Sequence, residues 1–303
     1  MQLWKRLAAL MLSAVLCITP LAGCTRDSEG LSLSVCVGAE PTSLDPAYAR
    51  TEGDQTILNH LYEGLMRVAS DGSGGTAVVG GMAKSVDTEQ NMDGTVTYTF
   101  RLRSAKWSDG RSVRASDFVY AWRRLADPVS QSPWASLLSI VSGYTEARAS
   151  GDMELLGVSA KNENTFQVVL SGYYDWFLTQ VCTSPATVPL RQDVVQRLKE
   201  AGASSEGGTA LSWWADPTRL VTNGPYQAAE YDADALRLTA SDRYYSDQAG
   251  PSELTFRFAA DESAAWAMYE NREVDAVWPL PEERLAELAA QEDYAFILTL
   301  DVY

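Results

Sequence analysis

Apolar residues recur at every second position in several short runs of this chain, with helical spacing between them, so it has to build sheets and cover them with helices. Leu31, Leu33, Val35 and Val37 alternate with Ser32, Ser34, Cys36 and Gly38, which predicts a strand whose leucine and valine face is the more buried. The run Thr95-Val96-Thr97-Tyr98-Thr99-Phe100-Arg101-Leu102 alternates clearly, and residues 165–170 form a further strand. Residues 254–258, 262–271 and 274–278 read as strand, helix and strand, with Asp261 as the helix cap. The class expected is therefore α/β.

Between the strands, Ile57, Leu58, Leu61, Tyr62 and Leu65 predict a helix over residues 56–65, after an irregular stretch at 43–54. Ser116 or Asp117 caps a second helix through Phe118, Val119, Trp122 and Leu125, which stops at Asp127-Pro128. Trp266 and Tyr269, three apart on one helix, are expected to pack on the sheet. Pro281 opens a last helix through Leu285 and Leu288. Residues 296–300 then form an apolar strand that needs a partner, which predicts that the sequence is the front part of a longer protein.

The start of the chain reads as an export signal. Lys5 and Arg6 precede an apolar stretch at 7–18 that is short for a bilayer, and Leu21-Ala22-Gly23-Cys24 follows. Bacterial lipoprotein signals resemble this pattern, which makes Cys24 the lipidated first residue of the mature chain. An ordinary cleaved signal and a short membrane helix are the alternatives. Residues 25–30 are polar enough for a tether. The formal charge is −16, and −18 once Lys5 and Arg6 leave with the leader. Such a field repels phosphate backbones and anionic headgroups, so no nucleic-acid partner is expected and membrane contact falls to the lipid alone. With Cys17 in the leader and Cys24 acylated, Cys36 and Cys182 remain and are expected to be free thiols.

Catalytic chemistry has no clear seat. His60, the sole histidine, stands in an amphipathic helix and reads as a partly exposed helical residue. No nucleophile elbow, phosphate-binding loop, Cys-x-x-Cys or His-Glu-x-x-His is present, so no metal and no cofactor are expected. Asp45, Asp109, Glu163 and Asp275 read as turn formers or surface carboxylates, although a paired-acid hydrolase depends on tertiary geometry and stays open. Eight tryptophans lie outside the leader. Trp107, Trp122 and Trp266 sit on regular elements and read as structural. Trp134, after Ser132-Pro133, and Trp278, ending a strand before Pro279, are the better pocket candidates, because ligands of α/β sheets gather beyond the carboxyl ends of strands.

Three blocks carry a resemblance. Ala39-Glu40-Pro41-Thr42-Ser43-Leu44-Asp45-Pro46 with Leu61-Tyr62-Glu63-Gly64-Leu65 is the first. The second joins Tyr98-Thr99-Phe100-Arg101-Leu102, Ala105-Lys106-Trp107-Ser108-Asp109-Gly110 and the run from Asp117 to Leu125. The third is Thr222-Asn223-Gly224-Pro225-Tyr226 with residues 269–276. Read alone, these are scaffold: Ser108-Asp109-Gly110 as a tight turn, and Asn223-Gly224 as a turn that tolerates positive φ. Together, and in this order, they resemble the oligopeptide- and dipeptide-binding proteins of ABC importers, the family 5 extracellular solute-binding proteins.

That resemblance implies a periplasmic-binding-protein-like two-lobed fold with an extra β-rich domain, the second lobe being largely absent from this chain. It divides the sequence into a signal at 1–23, a lipidated tether at 24–30, a discontinuous first lobe at 31–61 and 188–290, an inserted β-rich domain at 62–187, and the start of a crossover at 291–303. It implies a monomeric binding protein, not an enzyme, that captures oligopeptides outside the cell and delivers them to permease subunits. Its place would be the outer face of the cell membrane, or the periplasmic side in a Gram-negative envelope. By position, Arg50, Thr51 and Glu52 match the backbone segment beside the peptide, Trp134 an aromatic near it, and Trp278 a third contact region. Residues 200–214 are longer and more polar than the family pattern. Nickel chelate, haem or an oligosaccharide as cargo, and a sensor or adhesin role, remain open alternatives.

Overall fold

In the computed structural model, residues 30–203, 213–246 and 250–278 are described, with Leu280, Arg284 and Leu288. The leader, Cys24, most of the helix expected from Pro281 and the strand expected at 296–300 lie outside the described residues. The strands are β1 (Ser32–Cys36), β2 (Met66–Ser70), β3 (Thr76–Gly80), β4 (Ala83–Gln90), β5 (Val96–Leu102), β6 (Val158–Asn162), β7 (Thr165–Leu170), β8 (Tyr226–Tyr231), β9 (Ala235–Ala240), β10 (Glu253–Arg257) and β11 (Ala276–Val277). The α-helices are α1 (Glu52–Leu61), α2 (Ala115–Ala126), α3 (Tyr144–Ser150), α4 (Gln192–Ala203) and α5 (Glu262–Glu270). The arrangement is the mixed α/β fold that the alternating runs predict.

One sheet has the order β11-β1-β10-β9-β8, with β1 parallel to both β10 and β11 and the remaining pairs antiparallel. The βαβ unit forms as β10, α5 and β11, but β1 is inserted between its two strands. The Asp261 carboxylate accepts the Ala264 N–H at 2.8 Å and starts α5, as its cap position predicts. On that face Cys36, Ala259, Ala265 and Val274 form a small cluster. Leu236, Leu238, Leu254 and Phe256 line the opposite face, where the His60 ring of α1 lies 5.2 Å from Phe256 and 5.8 Å from Tyr226. His60 is half-buried there, and this burial lowers its pKa from the usual imidazole value.

The four-stranded sheet, β4-β5-β7-β6, is antiparallel throughout. Val96, Tyr98, Phe100 and Leu102 of β5 and Phe166, Val168 and Leu170 of β7 are buried on one face, with Phe100 opposite Phe166. Phe118, Ala121, Trp122 and Leu125 of α2 pack against them, and the Trp122 ring meets Phe166 edge-on at 5.3 Å. The buried Trp122 indole N–H donates to the Thr187 carbonyl at 2.9 Å, so the ring leaves no unpaired donor behind. β2 and β3 form a separate hairpin.

Several expectations are corrected. Leu31 and Leu33 are 60% and 37% exposed, because burial of β1 is confined to its carboxyl end, where Cys36 and Val37 are enclosed on opposite faces. The first helix spans Glu52–Leu61 rather than 56–65, since Thr51 and Asp54 form a capping box four residues earlier; Leu65 is buried outside it. α2 begins at Ala115, with Asp117 inside its first turn accepting the Arg114 N–H at 2.9 Å and the Trp107 indole N–H at 3.0 Å. Gly224 does not adopt positive φ. What it provides is close approach: an added Cβ would sit 2.5 Å from the Leu61 carbonyl carbon.

Polar contacts join the two sheets. Asp45 forms the expected turn but not at the surface: it is buried, pairs with Arg124 of α2 through both carboxylate oxygens, and accepts the Trp213 indole N–H at 2.7 Å. The Asn223 amide donates to the Glu63 carbonyl at 3.0 Å and accepts the Glu63 N–H at 3.1 Å. The buried Glu63 carboxylate accepts the Tyr244 hydroxyl at 2.6 Å. Burial raises the Glu63 pKa against the lowering effect of that bond and of Arg67. Cys36 and Cys182 are both buried and free.

Candidate functional site

Because β1, β10 and β11 are parallel, their carboxyl ends open at the same edge. A cavity of about 420 Å³ lies there. Its walls are Val37, Gly38, Ala39, Glu40 and Thr42 after β1, Thr51, Glu52 and Gly53 at the start of α1, Ala260, Asp261, Glu262 and Ala265 at the start of α5, and Val277 of β11. Two helix N-termini therefore face the cavity, and Glu52 and Glu262 sit in their first turns, where a carboxylate complements the helix dipole. Gly53 allows α1 to start this close to β1: a Cβ there would lie 2.6 Å from the Val37 carbonyl oxygen. Among the described residues no group of three or more His, Cys, Asp or Glu converges to hold a metal ion.

The run before α1 is held on two sides. The Ser132 hydroxyl donates to the Ala47 carbonyl at 2.6 Å, the Trp134 indole N–H donates to the Ala49 carbonyl at 2.7 Å, and the Tyr48 hydroxyl donates to the Ser130 carbonyl. From α1, the Asp54 carboxylate accepts the Arg50 and Thr51 N–H groups at 3.2 and 3.3 Å. Thr51 is extended, with φ −82° and ψ 156°, and its carbonyl accepts the Gln55 N–H at 3.0 Å. Both main-chain groups of Thr51 are thus turned to the helix.

In an extended residue the flanking carbonyl and N–H point the opposite way. The Arg50 carbonyl and the Glu52 N–H have no partner among the described residues, and all three side chains are exposed. A carbonyl one residue before and an N–H one residue after an extended position are the acceptor and donor that form a parallel β-bridge. An extended segment laid beside Thr51 can donate to the Arg50 carbonyl and accept from the Glu52 N–H.

The structure brings Thr51 and Glu52 to the cavity wall and ties Trp134 to the residue before Arg50. Trp278 directly follows β11 and donates its N–H to the Cys36 carbonyl at 2.8 Å, at the carboxyl end of β1. Neither tryptophan ring is among the lining residues, and Trp134 packs half-buried against the core. Asp54, Gly53 and Glu40 escape the hydrophobic-pattern reading. Thr51-x-x-Asp54, a capping-box signature, is the signal that points to Asp54. Glu40 accepts the Tyr231 hydroxyl at 2.6 Å, a tertiary contact with no local signature.

Oligopeptide-binding protein OppA of Escherichia coli is 31% identical over 275 residues, covering 89% of this chain and 47% of the relative. Dipeptide-binding protein DppE of Bacillus subtilis is 28% identical over 268 residues, covering 87% and 46%. Haemophilus influenzae OppA in complex with the peptide RPPGFSPFR superposes with a TM-score of 0.71 at 30% identity, covering 85% of this chain and 48% of that one. The chain thus spans a little under half the length of the relatives it matches. The profile of bacterial extracellular solute-binding proteins, family 5 Middle, matches residues 77–301. With the sheet order, the cavity and these likenesses in place, the chain belongs to the family 5 extracellular solute-binding proteins.

Proposed function

We propose that this chain takes up an extended oligopeptide by main-chain pairing beside Thr51 and, as part of an ABC importer, passes it to permease subunits. The observation that carries the reading is that the Arg50 carbonyl and Glu52 N–H, which flank one extended residue at the cavity wall, have no partner among the described residues. Main-chain pairing does not depend on side-chain identity, which suits a carrier of varied peptides. Trp134 and Trp278 flank this run and the end of β1. Cys24 carries the lipid that holds the protein at the outer face of the membrane, or on the periplasmic side of a Gram-negative envelope.

Within this reading, residues 31–61 and 188–290 form one lobe, 62–187 an inserted β-rich domain, and 291–303 the start of a crossover to a second lobe. The five-stranded sheet draws only on residues 32–36 and 226–277 and the four-stranded one only on 83–170, which supports that division. Lobe closure over the peptide would be a hinge motion.

The test is calorimetry with RPPGFSPFR, with the same residues in scrambled order, and with versions N-methylated at one backbone amide at a time. The expected result is similar affinity for the scrambled peptides and a loss confined to one or two methylated positions, where the N–H that meets the Arg50 carbonyl is gone. Absence of binding, or affinity that follows sequence and ignores N-methylation, overturns it.

A further inference from the structure

We infer that Asp54 and Trp134 are positioning residues for ligand capture: they grip residues 49–51 from opposite sides and so aim the Arg50 carbonyl and the Glu52 N–H outward together. The inference rests on the peptide reading above and deepens it.

Asp54 is fully buried, and among the described residues it makes no ion pair. Donors take the place of a cation. One carboxylate oxygen accepts the Arg50 N–H at 3.2 Å, the Thr51 N–H at 3.3 Å and the Thr42 hydroxyl at 2.7 Å, while the other accepts the Thr42 N–H at 2.9 Å. The capping box needs only the bond to Thr51. The bonds to Arg50 and Thr42 start no helix; what they do is join the cavity wall at Thr42 to the run beside Thr51. A backbone that must stay exposed on its outer side cannot be fixed by apolar burial, and this buried acceptor fixes it from the inner side.

Trp134 grips from the side of the β-rich region. Its indole N–H holds the Ala49 carbonyl at 2.7 Å, next in sequence to the Arg50 carbonyl. Its ring packs on the core and does not line the cavity, so it acts on a ligand through Ala49 and not by ring contact.

Asp54→Ala removes both acceptor oxygens, so the Arg50, Thr51 and Thr42 N–H groups all lose their partner. Trp134→Phe keeps an aromatic ring while deleting the indole donor and part of the ring's bulk, a packing loss that the urea midpoint reads separately. Two measurements on the 303-residue chain separate the possibilities. Amide hydrogen exchange of the ligand-free protein is read at Arg50 and Thr51, with amides of β5 and β7 as references; calorimetry with RPPGFSPFR gives affinity. In Asp54→Ala the Arg50 and Thr51 amides are expected to exchange about 10-fold faster while the reference amides hold their rates, and each variant is expected to bind about 10-fold more weakly.

Equal affinity in either variant overturns the role of that residue, and unchanged exchange at Arg50 and Thr51 overturns the grip by Asp54. Should Asp54→Ala not fold, Trp134→Phe carries the test on its affinity and its urea midpoint, and a fall in affinity without a fall in midpoint supports positioning. A wild-type chain with no affinity for the peptide overturns the peptide reading, and the positioning role falls with it. The exchange rates still report whether Asp54 holds the run, so the two failures are told apart.

Discussion

The four-stranded sheet and the run at residues 47–54 are fixed by opposite means. In the sheet, Phe100, Phe166, Trp122 and Phe118 enclose one another, and its outer face carries Thr97, Thr99 and Arg101. At the run, the Arg50, Thr51 and Glu52 side chains are exposed, and polar side chains hold the main chain: Ser132 at Ala47, Trp134 at Ala49, and Asp54 at Arg50 and Thr51. A core is specified by which face is apolar, so many sequences satisfy it. A backbone kept free for a partner has to be fixed by directional bonds from behind, and few residues can supply them.

The largest expected effect lies in the core. Trp122→Ala should lower unfolding free energy by about 3–5 kcal/mol in urea titrations, from the lost ring, the cavity and an unpaired Thr187 carbonyl. Asn223→Ala comes next at about 2–4 kcal/mol, because it strands the buried N–H and carbonyl of Glu63 at once. If Asn223→Ala proves the more damaging by urea midpoint, the junction and not the aromatic core dominates stability. Gly53→Ala follows at about 1–3 kcal/mol, since a Cβ 2.6 Å from the Val37 carbonyl oxygen forces the strand end and the helix start apart. Its signature should be local, with amide chemical shifts moving at Val37, Gly38 and Glu52 and not in β5 or β7. Shifts spread through β5 and β7 would show that the run and the sheet are one mechanical unit.

The same contrast explains how much could be read from residues alone. β5, β7 and the helix carrying Phe118, Trp122 and Leu125 announce themselves by period, because one of their faces meets a continuous apolar layer. β1 misleads: its alternation is regular, but enclosure reaches only Cys36 and Val37, and no local pattern says where a neighbouring helix will lie. Asp45 misleads for a related reason. Ser43-Leu44-Asp45-Pro46 looks like a turn and does form one, accepting the Ala47 N–H at 3.1 Å, yet its buried partners Arg124 and Trp213 are 79 and 168 residues away in sequence. Arg50, Thr51 and Glu52 were reachable through family resemblance. Asp54, which holds two of them, was reachable through the Thr-x-x-Asp capping signature, although that signature says nothing of its bonds to Thr42 and Arg50.

The smallest effect sharpens the comparison at the junction, where Glu63 is a buried carboxyl with one oxygen on Tyr244 and the other without a hydrogen-bond partner. Burial raises its pKa, so the folded protein holds this proton more tightly than the unfolded chain does. The stability contributed by the protonated form is complete below the unfolded carboxyl value and is lost as pH rises through the raised native value. Asp193 moves the other way: its hydrogen bond from Arg191 holds its pKa down to about 2, so its contribution is present above the unfolded value and is lost as pH falls toward that figure. Urea midpoints taken from pH 4 upward therefore keep Asp193 ionised in the folded state while Glu63 titrates. Glu63→Gln keeps an acceptor for Tyr244 and removes the titration. The wild-type midpoint should decline relative to that of Glu63→Gln as pH rises from 4 to 8, with the two chains closest at pH 4. Parallel curves would mean that Arg67, 3.9 Å from the carboxylate, neutralises Glu63 in the folded state and that the junction behaves as an ion pair rather than as a buried acid.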